Sequence, residues 1–230
     1  MNKQKYNVVI IGGGFSGIVT ANRLADSGLS ICLIDENNFI GGQLLRRISP
    51  SLGKRKKYKP DSLKRRGLQY VKNLENKKID QMINTFVLGI YPDNELLVEM
   101  DNKSVVSIQY DVLLFATGAR ERYLPFKGWT LPGVYSTGML QVLMKSAGVL
   151  PSKKILLGGS GLFLFAVGYE ILKNSGKVIG IFEQSGMMDK MKMLPLLFEQ
   201  FSKFAEGGKF LSKIYGSFTP VRYRHKIVEA

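Results

Sequence analysis

The sequence predicts an α/β protein in which one strand, glycine loop, helix and strand unit is built twice, and three observations carry that expectation. An apolar run at residues 6–11 (YNVVII) breaks into Gly12-Gly13-Gly14-Phe15-Ser16-Gly17. A similar run at 154–157 breaks into Gly159-Ser160-Gly161. Gly12 stands 23 positions before Asp35 and Gly159 stands 24 before Glu183, each acidic residue closing a second apolar run. An internal repeat of this kind sets the architecture before any single element is assigned.

Residues 6–11 form a continuous apolar run of strand length, as a buried parallel strand requires. Residues 17–27 read as a helix, with Ile18, Ala21, Leu24 and Ala25 on one face and Gly28 as its stop. Residues 29–34 are the next strand, and right-handed crossover chirality makes the two strands parallel neighbours. A polar helix is expected over 63–76. Short alternating strands over 86–108, with turn signals at Pro92-Asp93-Asn94 and Asp101-Asn102, predict an antiparallel meander. A separate strand at 112–115 runs into Ala116-Thr117-Gly118. A helix over about 136–146 precedes the second unit, which holds a strand from 154, a helix ending near 173 and a strand at 178–182. Residues 221–228 are strand-like. The expected fold is α/β with two Rossmann-like dinucleotide-binding domains, the first carrying the β-meander insertion and the second incomplete. The expected boundaries are 1–120 with a meander at about 84–110, a crossover linker and helix at 121–150, and a partial domain at 151–230.

Composition narrows the class. Of the 230 residues 45% are hydrophobic and 10% aromatic, the balance of a folded soluble protein. The basic start runs into glycines with no small-residue cleavage site, so it reads as a strand rather than a signal peptide. The apolar stretch 155–172 holds Gly158, Gly159 and Gly161, which argues against a membrane span. A cytoplasmic location is expected. Cys32 is the sole cysteine, which excludes an intrachain disulfide, a CxxC redox pair and a zinc cluster. It reads as a buried small hydrophobe. Most of the formal charge of +15 comes from residues 46–66, which contain ten Lys/Arg and one Asp. Without aromatic interleaving or a recognisable module, that run reads as a solvated or partner-docking surface rather than a nucleic-acid site. His225, the only histidine, reads as an ordinary strand or surface residue.

The glycine loops have a chemical reason. Gly12 permits a tight turn, Gly14 lets backbone approach a pyrophosphate, and Gly17 lets helix pack on strand. Unpaired N–H groups and the helix dipole then face an anion. Asp35 is placed to accept from ribose hydroxyls, which favours FAD or NAD over NADP. The second loop keeps Gly159 and Gly161 but has Leu164 at the third glycine position, where a side chain is expected to push the helix away or shift the loop. Glu183 again favours NAD. Gly41-Gly42-Gln43 and Ala116-Thr117-Gly118 fall at the carboxyl edge of the same sheet, where nucleotide crevices form.

Taken in order, GxGxxG, acidic residue, GGQ, ATG, GxG and second acidic residue resemble the two-dinucleotide-binding-domain flavoproteins of glutathione-reductase-like fold. Residues 116–134 (ATGARERYLPFKGWTLPGV) and 158–165 (GGSGLFLF) are more particular. They resemble the α (FAD/NAD-binding) subunits of heteromeric amine and opine dehydrogenases, including hydrogen cyanide synthase, proline and hydroxyproline dehydrogenase and sarcosine oxidase subunits. A residue other than glycine at Leu164 is similar to that group's own pattern. The resemblance implies FAD contacts at Gly12, Gly14, Ser16, Gly17, Asp35, Glu36, Gly42, Gln43, Thr117 and Gly118. It also implies a second nucleotide, NAD(H) or another adenine nucleotide, at Gly159, Gly161 and Glu183. A separate β subunit that oxidises an amine or amino-acid-like substrate is implied as partner, so no catalytic acid or base is assigned.

The first unit runs 111 positions, from Val8 to Gly118, whereas the second has 76 from Ile155 to Ala230. By analogy its last parallel strand and closing turn are expected to be absent, as in a truncated chain or one completed by another polypeptide. Two other functions compete with a dehydrogenase subunit. One is an NAD(P)H-dependent reductase feeding a carrier protein; the other is a nonenzymatic binding module.

Overall fold

Strand β1 (Gln4–Ile11) is flanked on both sides by parallel strands, which is why its sequence reads as apolar without alternation. The computed structural model describes residues 4–45, 62–75, 77–101, 103–147, 149–186 and 201–230. The basic run at 46–66 lies outside the described residues, except for the backbone at the start of its helix. The described chain forms two compact units that divide between Arg120 and Glu121.

In the first unit β1 is followed by α1 (Phe15–Leu24), β2 (Ile31–Ile34), α2 (Ser62–Glu75) and β3 (Asp80–Met82). Then come β4 (Phe86–Tyr91), β5 (Glu95–Glu99) and β6 (Val105–Phe115). The six strands make one sheet in the order β3-β2-β1-β6-β5-β4. Gly28 ends the α1 segment at φ +77°, a left-handed conformation that glycine adopts without strain. One face of the sheet buries Val8, Ile10, Ile31 and Leu33 against Ile18 and Ala21 of α1 and Val71 and Leu74 of α2. Phe15 and Tyr70 meet edge to face at 6.0 Å where the two helices touch. Val9, Cys32 and Ile34 join Leu96, Val98 and Ile108 in a second cluster.

One expectation is corrected by β6. The meander and the strand at 112–115 are not separate: β6 is a single strand of 11 residues. Its residues 105–109 pair antiparallel with β5, while 108–115 pair parallel with β1. Gln109, Tyr110 and Asp111 look like a polar break in the sequence, yet they continue the period-two alternation. Tyr110 is buried, and Asp111 points outward, where it accepts from Asn7 Nδ2 at 2.8 Å and pairs with Lys5 at 3.3 Å. These two partners hold the Asp111 carboxyl below the usual carboxylate range. The three-residue β3 was also not foreseen, being too short and polar to show a pattern.

The second unit contains α3 (Thr137–Val142), which continues as a wider π turn (Leu143–Ala147). It then has β7 (Lys154–Gly159), α4 (Leu162–Lys173), β8 (Lys177–Glu183), α5 (Phe201–Gly216) and β9 (Val221–Tyr223). The sheet order is β7-β8-β9, all parallel. Leu157, Val178 and Ile181 pack under Phe165, Val167 and Ile171 of α4 and Ile214 of α5. Helix α5 was not expected. Gly207 and Gly208 interrupt its pattern and lower its intrinsic propensity, and it is held by packing of Phe210, Leu211 and Ile214. The strand expected over 221–228 stops at Tyr223, because Arg224 turns into the left-handed region at φ +58°. Among the described residues no strand flanks β7 on the side that β6 takes beside β1.

Cys32 is buried in β2, and burial, followed by the charge of Asp80, pushes its thiol from 9.0 to about 12. Tyr6 is likewise raised, by burial and by its 2.8 Å hydrogen bond to Asp80. Both groups favour the protonated folded state. Their stabilisation is full below the ordinary values and is lost as pH climbs through the raised ones. Stability measured by urea unfolding is therefore expected to fall as pH rises above 9, with a shallower fall in Cys32→Ala. The native thiol is expected to resist a soluble thiol reagent at pH 8 and to react on unfolding.

Candidate functional site

The first glycine loop is shaped by backbone contacts that leave no room for side chains. Gly12 has φ +107°, and a Cβ there would stand 2.3 Å from the Ala116 carbonyl oxygen. A Cβ on Gly17 would stand 1.9 Å from the Gly12 carbonyl oxygen. Helix α1 thus presses on the loop, and the loop presses on the Ala116-Thr117 segment. The Gly12 N–H donates to Ile34 O, and the Ala116 N–H to Ile11 O, both at 2.8 Å.

Gly14 differs from both. Its φ of −73° suits any residue, and a Cβ there would meet nothing within 4 Å. Nothing in the described chain requires glycine at this N-cap, so the space beside it is an open cradle that a side chain would fill. Gly42, at φ +56°, lies against its back, where a Cβ would come 2.8 Å from the Gly14 Cα. The Gly41 N–H reaches Gly13 O at 2.7 Å, and Gln43 Nε2 donates to Ala119 O at 3.1 Å. The glycine loop, the Gly41-Gly42-Gln43 turn and the Ala116-Thr117-Gly118 turn are therefore gathered at one edge of the sheet. Ser16, Thr117 and Gly118 are exposed there.

Asp35, at the end of β2, is nearly buried. Its Oδ2 accepts the Gly13 N–H at 2.6 Å, and its Oδ1 accepts from both Asn37 N and Nδ2 at 2.8 Å. Glu36 turns outward and pairs with the Arg120 guanidinium, an exposed contact that no local sequence signal announced.

The second loop repeats this plan with differences. Helix α4 begins three residues after Gly159, as α1 does after Gly12, so Leu164 does not displace its start. Leu164 is buried in the core of the unit. The backbone adjusts instead: Gly159 takes φ +157° and Gly161, the N-cap, takes φ +99° where Gly14 is at −73°. Glu183 is fully buried; it accepts the Gly161 N–H at 3.2 Å, the Ser185 N–H at 3.1 Å and the Ser185 hydroxyl at 2.6 Å.

A cleft of about 900 Å³ opens beside this loop within the second unit. Gly159, Ser160 and Phe163 line one part, and Trp129, Tyr135 and Lys226 another. Here α3 is capped by Ser136, whose hydroxyl accepts the Met139 N–H at 3.1 Å. Glu121 accepts the N–H groups of Thr137 (3.1 Å) and Gly138 (2.7 Å). Sequence reasoning missed the Glu121 contact, because the carboxylate lies far upstream of the helix it caps. His225 is exposed and stacks on Phe182 at 6.1 Å. Among the described residues no cluster of His, Cys, Asp and Glu could hold a metal, and no helix is long and apolar enough to cross a membrane.

The chain is similar to known proteins. A family model described as pyridine nucleotide-disulphide oxidoreductase matches residues 6–162. Hydrogen cyanide synthase subunit HcnB of Pseudomonas protegens is 30% identical over 232 residues, covering 97% of this chain and 48% of that protein. An opine oxidase subunit of Rhizobium meliloti is 32% identical over 178 residues, covering 74% of this chain and 34% of that protein. L-proline dehydrogenase from P. horikoshii superposes with a TM-score of 0.62 at 22% identity, covering 80% of this chain and 37% of that one. Thioredoxin reductase from T. acidophilum gives 0.64 at 15% identity, covering 99% and 66%. The two structures share the fold. The chain spans about half the length, or less, of these curated relatives. The resemblance carried by residues 116–134 and 158–165 is borne out, since the curated relatives are subunits of hydrogen cyanide synthase and of opine oxidase. The disulphide in the family's description has no counterpart in this sequence, which holds only the buried Cys32. The chain belongs to the pyridine nucleotide-disulphide oxidoreductase family, whose model runs from the first strand into the second glycine loop.

Proposed function

We propose that this chain is the FAD-binding part of a flavin-dependent dehydrogenase that acts, with a second oxidoreductase subunit, on an amine or amino-acid-like substrate. The observation that carries the reading is Gly14. Gly12 and Gly17 are glycines because the fold leaves no room for a Cβ, whereas Gly14 faces open space at the positive end of α1. A glycine that the fold does not need is explained by a pyrophosphate approaching the backbone there. Asp35 then receives the adenosine ribose, and its charge disfavours a 2′-phosphate. Gln43, Thr117 and Gly118 border the same edge, and the Glu36–Arg120 pair flanks it. When bound, FAD supplies a two-electron acceptor. The chain's own residues bind and orient it, and the subunit names of the relatives support a partner for the substrate chemistry.

The second loop supports an adenine nucleotide in the neighbouring cleft, with Glu183 favouring NAD(H) over its phosphorylated form. Occupancy there by NADH would favour the other reading, a pyridine-nucleotide-dependent reductase that passes electrons to a carrier protein.

Titrating the purified chain with FAD tests the first loop. Flavin absorption is expected to shift on binding, and absence of any bound flavin at saturating FAD contradicts the proposal. Gly14→Val is expected to abolish FAD binding while leaving the melting temperature of the apo chain nearly unchanged. Gly17→Val is expected to lower that melting temperature outright, since its side chain meets the Gly12 carbonyl. Asp35→Ala is expected to weaken FAD binding by about tenfold or more, the cost of losing a charged acceptor. NADPH is expected to bind the second site more weakly than NADH.

A further inference from the structure

The internal repeat extends beyond the glycine loops. In each unit the residue two positions after the acidic one donates twice to a single carboxylate oxygen, once from its backbone N–H and once from its side chain. In the first unit Asn37 N and Nδ2 meet Asp35 Oδ1 at 2.8 Å. In the second unit Ser185 N and Oγ meet Glu183 Oε1 at 3.1 and 2.6 Å. The glycine loop holds each carboxylate from another direction, through the Gly13 N–H at 2.6 Å and the Gly161 N–H at 3.2 Å.

The turn after the third strand repeats as well. Asn84 at φ +48° and Arg224 at φ +58° both take the left-handed conformation. The Asn84 N–H donates to Asn37 O at 2.9 Å, and the Arg224 N–H to Ser185 O at 3.4 Å. The following residues, Thr85 and His225, donate to Asp35 O at 3.0 Å and Glu183 O at 3.2 Å. The same frame thus pins the acidic residue and its second neighbour in both units.

The side chains differ in a compensating way. A short Asp is met by a long Asn, and a long Glu by a short Ser. Reach is kept although neither residue is. A surface turn under no positional demand would not keep a double donation through two such exchanges.

We infer that Asn37 is a positioning residue, which fixes the rotamer of Asp35 so that the lone pair left on its Oδ2 faces a ribose. This rests on the nucleotide reading above. With Asp35 Oδ1 clamped by Asn37 and Oδ2 by the glycine loop, a ribose hydroxyl meets an acceptor that need not be ordered on binding. Asn37 touches no ligand in this role and acts through Asp35.

The test measures the affinity of the full chain for FAD and for FAD whose adenosine lacks the 2′-hydroxyl. The wild type is expected to prefer FAD by about tenfold, the usual yield of a hydrogen bond to a charged group. Asn37→Ala is expected to bind FAD more weakly and to lose most of that preference, with the melting temperature of the apo chain little changed. A merely structural role would weaken both flavins alike, so an undiminished preference in Asn37→Ala overturns the proposal. Should that variant fail to fold, Asn37→Asp keeps the shape and removes the side-chain donor. Loss of the preference in it supports the proposal, and retention overturns it. A wild type that binds no FAD is seen before any variant is made, and it removes the nucleotide reading and this inference together.

Discussion

Gly17 lies against the carbonyl of Gly12, and Gly12 in turn lies against the Ala116-Thr117 backbone. This stack of three backbones fixes the distance of α1 from the sheet and brings the β1 and β6 loops to one edge. A methyl group at either glycine would drive the layers apart. Because β1 and β6 are parallel neighbours in register from Gln4 to Ile11, the turn at residues 116–118 emerges beside the glycine loop. The remaining features of the edge follow. Gly42 closes on the back of Gly14, and the β2 carboxylate reaches the Gly13 amide.

The second unit shows which parts of this design tolerate change. Leu164 stands where Gly17 stands in the first unit. The loop differs at its N-cap, where Gly161 takes φ +99°, a value that an L side chain rarely adopts, and Gly14 is at −73°. The leucine side chain is buried in the core of the unit. What does not change is the acidic strand end and the double donor two residues later, while the tie to the glycine loop moves from the Gly13 N–H to the Gly161 N–H, one position on. A shared set of constraints around the carboxylate, kept while the helix packing differs, marks that carboxylate as the point the loop is built around.

The sequence was most legible where structure is local. The glycine loops, the acidic strand ends and the parallel strands next to them follow from spacing and apolar runs, and α2 from its own composition. Features set by distant partners were hidden. The meander joins the parallel sheet through β6, whose pairing with both β1 and β5 lies far apart in sequence and leaves Asp111 facing Lys5 and Asn7 across the sheet. The cap of α3 depends on Glu121 arriving from upstream, and α5 depends on a packing surface supplied by α4. Glu36 was expected beside a cofactor and is paired with Arg120, a contact between residues 84 positions apart. The matching turns at Asn84 and Arg224 share nothing in sequence, and only hydrogen bonding makes them equivalent.

If the first loop holds the adenosine diphosphate half of a dinucleotide, the chain must tell FAD from FMN, which carries the flavin but lacks the adenosine half. The most direct measurement is calorimetric titration of the chain with each of the two. Saturable binding of FAD, with FMN weaker by at least about a hundredfold, is the expected result for a site built on Gly14 and Asp35. Equal affinity for the two would mean that the flavin is held elsewhere and that the loop does not hold the adenosine half of FAD.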